Sequence, residues 1–481
     1  MIDTKALRSR ILDLAMQGKL TEQLDSDGTA EELYQQIQAE KQKLVKEGKI
    51  KKEKPLPEIT ADDIPFEIPS NWKWVYMGDI FQHNTGKALN SANTDGQLLE
   101  YITTSNVYWD RFELKDLKQM YFSDTEIEKC TIKKGDLLIC EGGDIGRSAI
   151  WNNDFEMRIQ NHLHRLRGFL SEINVKYYYF IMMLYKEKGM IDGRGIGLQG
   201  FSSKRVHSLI VPLLPLAEQK RIVERVEEIF RLLDTIDEAQ EKYSADVESL
   251  RSKLITAGIQ GRLTQQLDTD GTAEELYQQI QAEKQKLIKE GKLKKEKPLP
   301  PISPEEIPFE IPENWMWVRL QEIVTLLGDG IHGTPKYDEN GEYYFINGNN
   351  LCNGVIEIKP NTKRIDYDEF LKYKKELNDN TVLVSINGTL GNLAFYNNEK
   401  VILGKSACYF NLVKKEMKVY IYYLLKTDYF LKYANYTATG VTIRNVSLKA
   451  MNELLVPLPP LAEQKRIADV LERALGAMDS N

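Results

Sequence analysis

The sequence predicts an α/β (α+β) fold: two globular domains separated by two long antiparallel helical, coiled-coil regions, pseudo-twofold and circularly arranged. Three observations predict it. Residues 27–44 read DGTAEELYQQIQAEKQKL, and residues 270–287 repeat those eighteen residues without a change. A second pair of blocks, PLLPLAEQKRI at 212–222 and PLPPLAEQKRI at 457–467, matches at an offset of 245 instead of 243. Between these repeated ends lie two stretches of similar length, about 73–210 and 316–455, whose sequences hardly agree. A repeated frame around two divergent inserts suits a molecule that holds two different readers at a fixed distance.

The frame is predicted helical. From Ile222 the apolar positions run Val226, Ile229, Leu233, Ile236, then Tyr243, Val247, Leu250 and Leu254, a heptad seam with charged residues between. Pro215 suits the first turn, and Gly258 and Gly261 are expected to end the helix. Such a helix is about 55–60 Å long. Residues 461–481 match only its first half (Ile467, Leu471, Ala474, Met478), and residues 1–20 match its second half, Leu7-Arg8-Ser9 aligning with Leu250-Arg251-Ser252. The two termini therefore supply complementary halves of one element. The identical block starts another helix: Thr29 with Glu32, and Thr272 with Glu275, form T-x-x-E capping boxes, and Gly48 and Gly291 close the segments. Identity between two copies implies a shared demand, such as two identical partners at symmetric sites, or a recent duplication.

Composition sets bounds. At 481 residues the chain is too long for one core. The amino terminus is an amphipathic helix without the apolar core of a signal peptide, and no apolar run is long enough to span a bilayer. Cys130, Cys140, Cys352 and Cys408 have no CxxC spacing, so reduced thiols and a cytoplasmic location are expected. Net charge is −7, but residues 72–210 carry 18 Lys and Arg against 17 Asp and Glu, and residues 315–455 carry 17 against 15. The acidity belongs to the frame, so charge neither requires nor excludes a nucleic-acid partner.

Each insert opens with NW-x-WV and a polar, glycine-bearing loop. Residues 135–151 and 380–396 then read as strand, tight glycine turn, strand. Apolar helices are expected at 175–188 and 419–434, and each insert closes on a loop (RGIGLQGFSSK, TGVTIRNVSLK) before a short strand. Each fits an α/β globule of about 140 residues.

The PLPPLAEQKRI entry to a heptad helix and the KPLPPI…PFEIPENW exit, each present twice at domain spacing, resemble the DNA-specificity subunits of type I restriction–modification systems. The resemblance covers essentially the whole chain. It implies two target-recognition domains, each reading one half of a split, asymmetric double-stranded DNA site. It implies helical conserved regions that act as a ruler and dock two methylation subunits, with restriction/translocase subunits in the full complex. S-adenosylmethionine, ATP and Mg are then expected on partner subunits, with no cofactor, no metal and no catalysis on this chain, and no membrane association. The expected boundaries are 1–71 for an N-terminal conserved helical region, 72–211 for the first recognition domain, 212–314 for the central conserved region, 315–456 for the second recognition domain, and 457–481 for a conserved helix pairing with the N-terminal region.

Other motifs weigh less. Gly195-x-Gly197-x-x-Gly200 lacks a preceding strand and a following helix, so it reads as a loop rather than a dinucleotide site. Glu113-x-Lys115 and Glu357-x-Lys359 resemble half of a metal-nuclease triplet, but strand-edge charges are the plainer reading. His162 and His164 could share a strand face, yet no third zinc ligand recurs nearby. Bases are read chiefly by Arg or Lys on guanine and by Asn or Gln on adenine. The first insert offers Lys87, Asn90, Ser105, Asn106, Arg147, Arg158, Gln160, Asn161, Gln199, Lys204 and Arg205. The second offers His332, Thr334, Lys336, Asn347, Asn349, Asn350, Asn392, Lys405, Arg444 and Asn445. Two alternatives remain: an interaction scaffold with tandem binding domains, which predicts no salt-dependent DNA binding, and a self-contained nuclease, which predicts Mg²⁺-dependent cutting.

Overall fold

The computed structural model describes residues 1–90, 94–191, 201–440 and 444–479. The chain divides into two compact units, Met1–Glu241 and Lys242–Asn481. The division falls inside the helix Leu216–Ile259, a continuous run of 44 residues. Each unit therefore has the same order: half of a long helix or its terminal equivalent, a capped helix, a β-rich insert, and a closing helix.

In the first unit the helix Thr4–Met16 runs antiparallel to the first half of the long helix. Arg8 fixes the register, its Nη2 lying 2.8 Å from Asp234 and 2.9 Å from Asp237 while its guanidinium covers Phe230. In the second unit the helix Leu461–Asp479 runs antiparallel to the other half, with Arg251 paired to Asp479 at its end. Gly258 is the penultimate residue of the long helix and is still helical, so it does not itself stop the run as expected from sequence. A Cβ there would stand 3.1 Å from Ile467 and 3.2 Å from Leu471, so glycine allows a close helix crossing. Gly261, at φ +70°, is the residue that ends the run. The heptad seam also differs from expectation at its centre: Tyr243 is 54% and Leu250 48% exposed. The terminal helices cover the seam only toward its two ends.

Both capping boxes form as read. Thr29 accepts from the Glu32 N–H and starts the helix Ala30–Lys46, and Thr272 does the same for Ala273–Lys289. The repeated motifs are polar staples inside each unit. Trp72 Nε1 donates to the buried Glu218 at 2.8 Å, and Trp315 Nε1 to the buried Glu463 at 2.8 Å. The other carboxylate oxygen accepts from Gln23 in one unit and Gln266 in the other. Arg221 clamps Asp27 at 2.6 Å, and Arg466 clamps Asp270 at 2.5 Å. Each guanidinium hydrogen-bonds its aspartate and holds that carboxyl below the usual carboxylate range. Lys41 and Lys284 reach carbonyls at the base of the insert, those of Gly78 and Gln321. The N-W and A-E-Q-K-R letters thus recur because each unit ties its closing helix to its own capped helix and insert.

The inserts share a neck, an antiparallel pair of strands: Lys73–Tyr76 with Ile210–Leu213, and Met316–Arg319 with Leu455–Leu458. Above it stand two sheets. In the first unit they run Phe81–Thr85, Leu163–Gly168, Leu137–Cys140, Ser148–Ile150, and Lys118–Phe122, Gln97–Ile102, Met157–Ile159, Thr131–Ile132. The second unit repeats the first sheet with Val324–Asp329, Ala407–Leu412, Thr381–Ser385 and Leu393–Phe395, and has three strands in the other. The apolar helix Val175–Glu187 packs beneath the sheets, with Tyr177, Tyr178, Phe180 and Ile181 buried. Its counterpart breaks into Lys418–Leu425 and Asp428–Thr437, because Thr427 turns inward and caps the second piece. Among the described residues no helix is long and apolar enough to cross a membrane.

Candidate nucleic-acid interface

The loops named from sequence converge at one edge of each insert through backbone bonds that repeat between the units. Lys87 N–H donates to Ile159 O, and Ile331 N–H to Leu403 O. Gln160 N–H donates to Ile102 O, and Gly404 N–H to Ile346 O. Cys140 exchanges bonds with Gly146 and Arg147 across a hairpin turn, and Ser385 does so with Gly391 and Asn392. Phe201 N–H meets Glu141 O, and Val446 N–H meets Ile386 O. Gly86 and Gly330 permit the closest approach: a Cβ would lie 2.0 Å from Ile159 O or 2.1 Å from Leu403 O.

On this common scaffold the side chains differ. A one-turn 3₁₀ helix carries Thr104-Ser105-Asn106 in one unit and Gly348-Asn349-Asn350 in the other. Asn106 and Asn350 hold that turn together: each accepts from the N–H of the residue three before and donates to the carbonyl of Glu113 or Glu357. Ser105 and Asn349 are exposed at its tip. The hairpin residue facing the turn is Arg147 in one unit and Asn392 in the other. Arg147 Nη2 donates to Thr104 O at 2.7 Å, and Asn392 Nδ2 to Gly348 O at 3.1 Å. The same bond is made by two chemically different side chains.

The remaining predicted residues divide by exposure and partner. Lys87 is 8% exposed, its ammonium held by Glu126 and Tyr121 O at 2.7 Å, so that charge is spent inside the domain. Glu126 is in turn held below its usual pKa by the Lys87 hydrogen bond. Arg158, Gln160 and Asn161 are half-buried, and the Arg158 Nε is buried with no hydrogen-bond partner. Arg205 donates to Ile191 O at 2.7 Å and lies over the Phe201 ring. Asn90 and Lys204 are exposed; Gln199, like the Gly195–Gly197–Gly200 motif, lies outside the described residues. In the second unit Thr334, Lys336 and Lys405 are exposed. His332 pairs with Asp329 at 2.7 Å, and Asn347 accepts from Ser406. Arg444 bonds Asn435, and Asn445 accepts from Asn387 at 3.1 Å. Asn350, 5% exposed, is a turn-former with its amide fully engaged.

Sequence reasoning missed Tyr108. It stands beside a hairpin tip where Asp110 takes φ +56°, with Arg111 4.6 Å and Arg147 5.3 Å from its ring centroid. A partly exposed ring with two guanidinia close by groups the aromatic and cationic side chains that nucleic-acid binding uses, and the Y-W-D-R run was its only sequence signal. Glu113 and Glu357 anchor the 3₁₀ turn through their backbone, and Lys359 Nζ donates to Asn349 O. His162 is exposed whereas His164 is buried, and no cluster of three metal-ligating side chains occurs among the described residues.

Comparison with known proteins agrees with this geometry. The family model for the type I restriction modification DNA specificity domain matches residues 69–243 and 312–479. The specificity subunit of the type I restriction enzyme EcoAI from Escherichia coli is 28% identical, the match covering 98% of this chain and 89% of that protein. The EcoEI specificity subunit, also from Escherichia coli, is 26% identical over 97% of this chain and 88% of its own length. A chain from a solved structure of a type I R-M system superposes with a TM-score of 0.59 at 16% identity, covering 86% of this chain and 93% of that one. The structural likeness supports the fold, and the repeated domain match fixes the family. The chain belongs to the type I restriction–modification DNA specificity family and is a specificity subunit, the non-catalytic member of such a system.

Proposed function

We propose that this subunit binds a bipartite, asymmetric duplex DNA sequence, one half-site per insert, and docks two methylation subunits, so fixing where adenine is methylated and where a restriction/translocase partner acts. The observation that carries the reading is the loop scaffold: equal backbone bonds in both inserts, with Arg147 against Asn392, Ser105 against Asn349 and Tyr108 against Cys352 at corresponding positions. A fold under selection only for stability has no need to keep loop geometry while changing its polar surface. Phosphate contacts from exposed lysines would position the inserts, and base contacts would specify the sequence.

Two identical partners are supported by where the repeats agree. Residues 27–44 and 270–287 are identical, whereas the preceding 10–26 and 253–269 differ at ten of 17 positions, core residues included. The matching helices expose Gln35, Gln36, Gln42 and Lys43, and Gln278, Gln279, Gln285 and Lys286, whose bonds, where made, stay on the same helix. S-adenosylmethionine, ATP and Mg would act on the partner subunits.

Methylome sequencing of a methylation-free host expressing this chain with its methylation subunit tests the proposal. A split asymmetric motif that vanishes when this chain is omitted is the expected result. No motif from a stable, correctly sized complex overturns it.

A further inference from the structure

The first unit contains a histidine pair, one ring fully buried and the other half-buried, that its counterpart lacks. His83, on the strand Phe81–Thr85, and His164, on Leu163–Gly168, project from the same sheet face. His83 Nε2 lies 3.0 Å from His164 Nδ1, and His164 Nε2 lies 2.7 Å from the carbonyl oxygen of Phe201. His164 is fully buried, and its ring also meets the Phe201 ring edge-on at 6.5 Å. A carbonyl only accepts, so His164 carries its proton on Nε2. Its Nδ1 is then the acceptor, and His83 Nε2 is the donor. The result is a directed chain, His83 to His164 to Phe201. Burial lowers the pKa of both rings, that of His83 to about 3, in keeping with two neutral imidazoles.

The fold does not require this pair. In the second unit the corresponding sheet positions hold Leu327 and Cys408, an apolar filling, while the backbone bond from Val446 to Ile386 O matches that from Phe201 to Glu141 O. The pair therefore adds something to a junction the common scaffold already makes. What it adds is a second anchor for Phe201, the residue from which Ser203–His207 follows with Lys204 exposed and Arg205 lying over the Phe201 ring.

We propose that His83 and His164 are positioning residues for sequence readout by the first insert: through the Phe201 carbonyl they fix the segment that presents Lys204 and Arg205 beside the Glu141–Arg147 hairpin. The inference rests on the DNA-reading function proposed above. Orientation of a reader loop sets discrimination between bases more than total affinity, since a loop that wanders meets right and wrong bases alike.

The test uses the full chain in complex with its methylation subunits. The double variant His83→Leu with His164→Cys installs the pair that the second unit uses, so the sheet has a native filling for the space. His164→Gln keeps an amide donor toward Phe201 and an acceptor toward His83. Amide exchange over residues 201–205 and the methylated motif are read for each. The double variant is expected to exchange about tenfold faster at 201–205 and to relax the first half-site while the second stays intact; His164→Gln is expected to behave as the parent. Unchanged exchange overturns the positioning role. Faster exchange with an unaltered motif overturns the role in readout, and loss at both half-sites, or a Gln variant as defective as the double, shows that packing alone is involved. Absence of any motif with the parent chain defeats the DNA-reading function itself, while the exchange arm still decides whether the pair holds the segment.

Discussion

The two units solve one folding problem with the same bonds and one surface problem with different side chains. In the frame, Trp72–Glu218 and Trp315–Glu463 agree in partner and in their 2.8 Å distance, and Asp27–Arg221 and Asp270–Arg466 form the same clamp. At the loop edge the backbone bonds agree equally well, yet Arg147 faces Asn392 and Tyr108 faces Cys352 in the alignment of the units. The contrast separates what folding demands from what remains free to specify a ligand.

The strongest way to break the likeness of the frames is to cut a staple. Trp72→Phe leaves a buried Glu218 oxygen without its donor and should cost about 2 kcal/mol, and Trp315→Phe should cost the same in the other unit. Denaturant unfolding followed by hydrogen exchange in each unit checks this; a cost in only one unit would break the equivalence.

Acid should separate the units next. His83 and His164 are held neutral in the folded state, so the unfolded chain takes up more protons below about pH 6.5 and stability falls as pH drops. The groups facing them are His207 and Arg165 around His83, and Glu141 and His162 around His164. The first unit should lose about 1–2 kcal/mol by pH 5. In the second, His332 is exposed and no such buried pair exists among the described residues. Its Asp270 clamp, like Asp27 in the first, contributes stability that is full above about pH 4 and is lost as pH falls further, because the folded pKa lies below the unfolded one. Exchange protection measured per unit from pH 7 down to about pH 2 reads both effects.

Smaller effects sharpen the contrast at the loops. Arg147→Ala should relax discrimination at one half-site by about tenfold, and Asn392→Ala at the other, each leaving its opposite number intact. Competition binding with single-base variants of the motif measures it. Lys204→Ala and Lys405→Ala should do least: a uniform loss of affinity across sequences, with the salt slope reduced by about one in each.

Much of the frame was legible because its signals are local: capping boxes, the proline-flanked entry and the heptad spacing all act within a few turns. Coverage of the seam was not legible. Tyr243 and Leu250 follow the period yet are exposed, since period records a face and not what lies against it. Gly258 was misread as a stop because a glycine that admits a neighbouring helix looks like one that ends its own. In the inserts, residue type named loops that share one edge, but it did not show which of their side chains are engaged within the fold. Lys87 carries a reader's charge, yet Glu126, 39 residues away, consumes it. Asn106 and Asn350 are amides spent on their own turn, and Tyr108 owes its setting to Arg147, which sequence places far off.

The central claim is that the inserts carry the specificity and the frame does not. Replacing residues 315–456 with a second copy of residues 72–211 tests it most directly, with the methylated motif as readout. The account predicts a site in which the first half-site now appears at both ends and the spacer length is kept. Persistence of the original second half-site in a folded, assembled complex would contradict it.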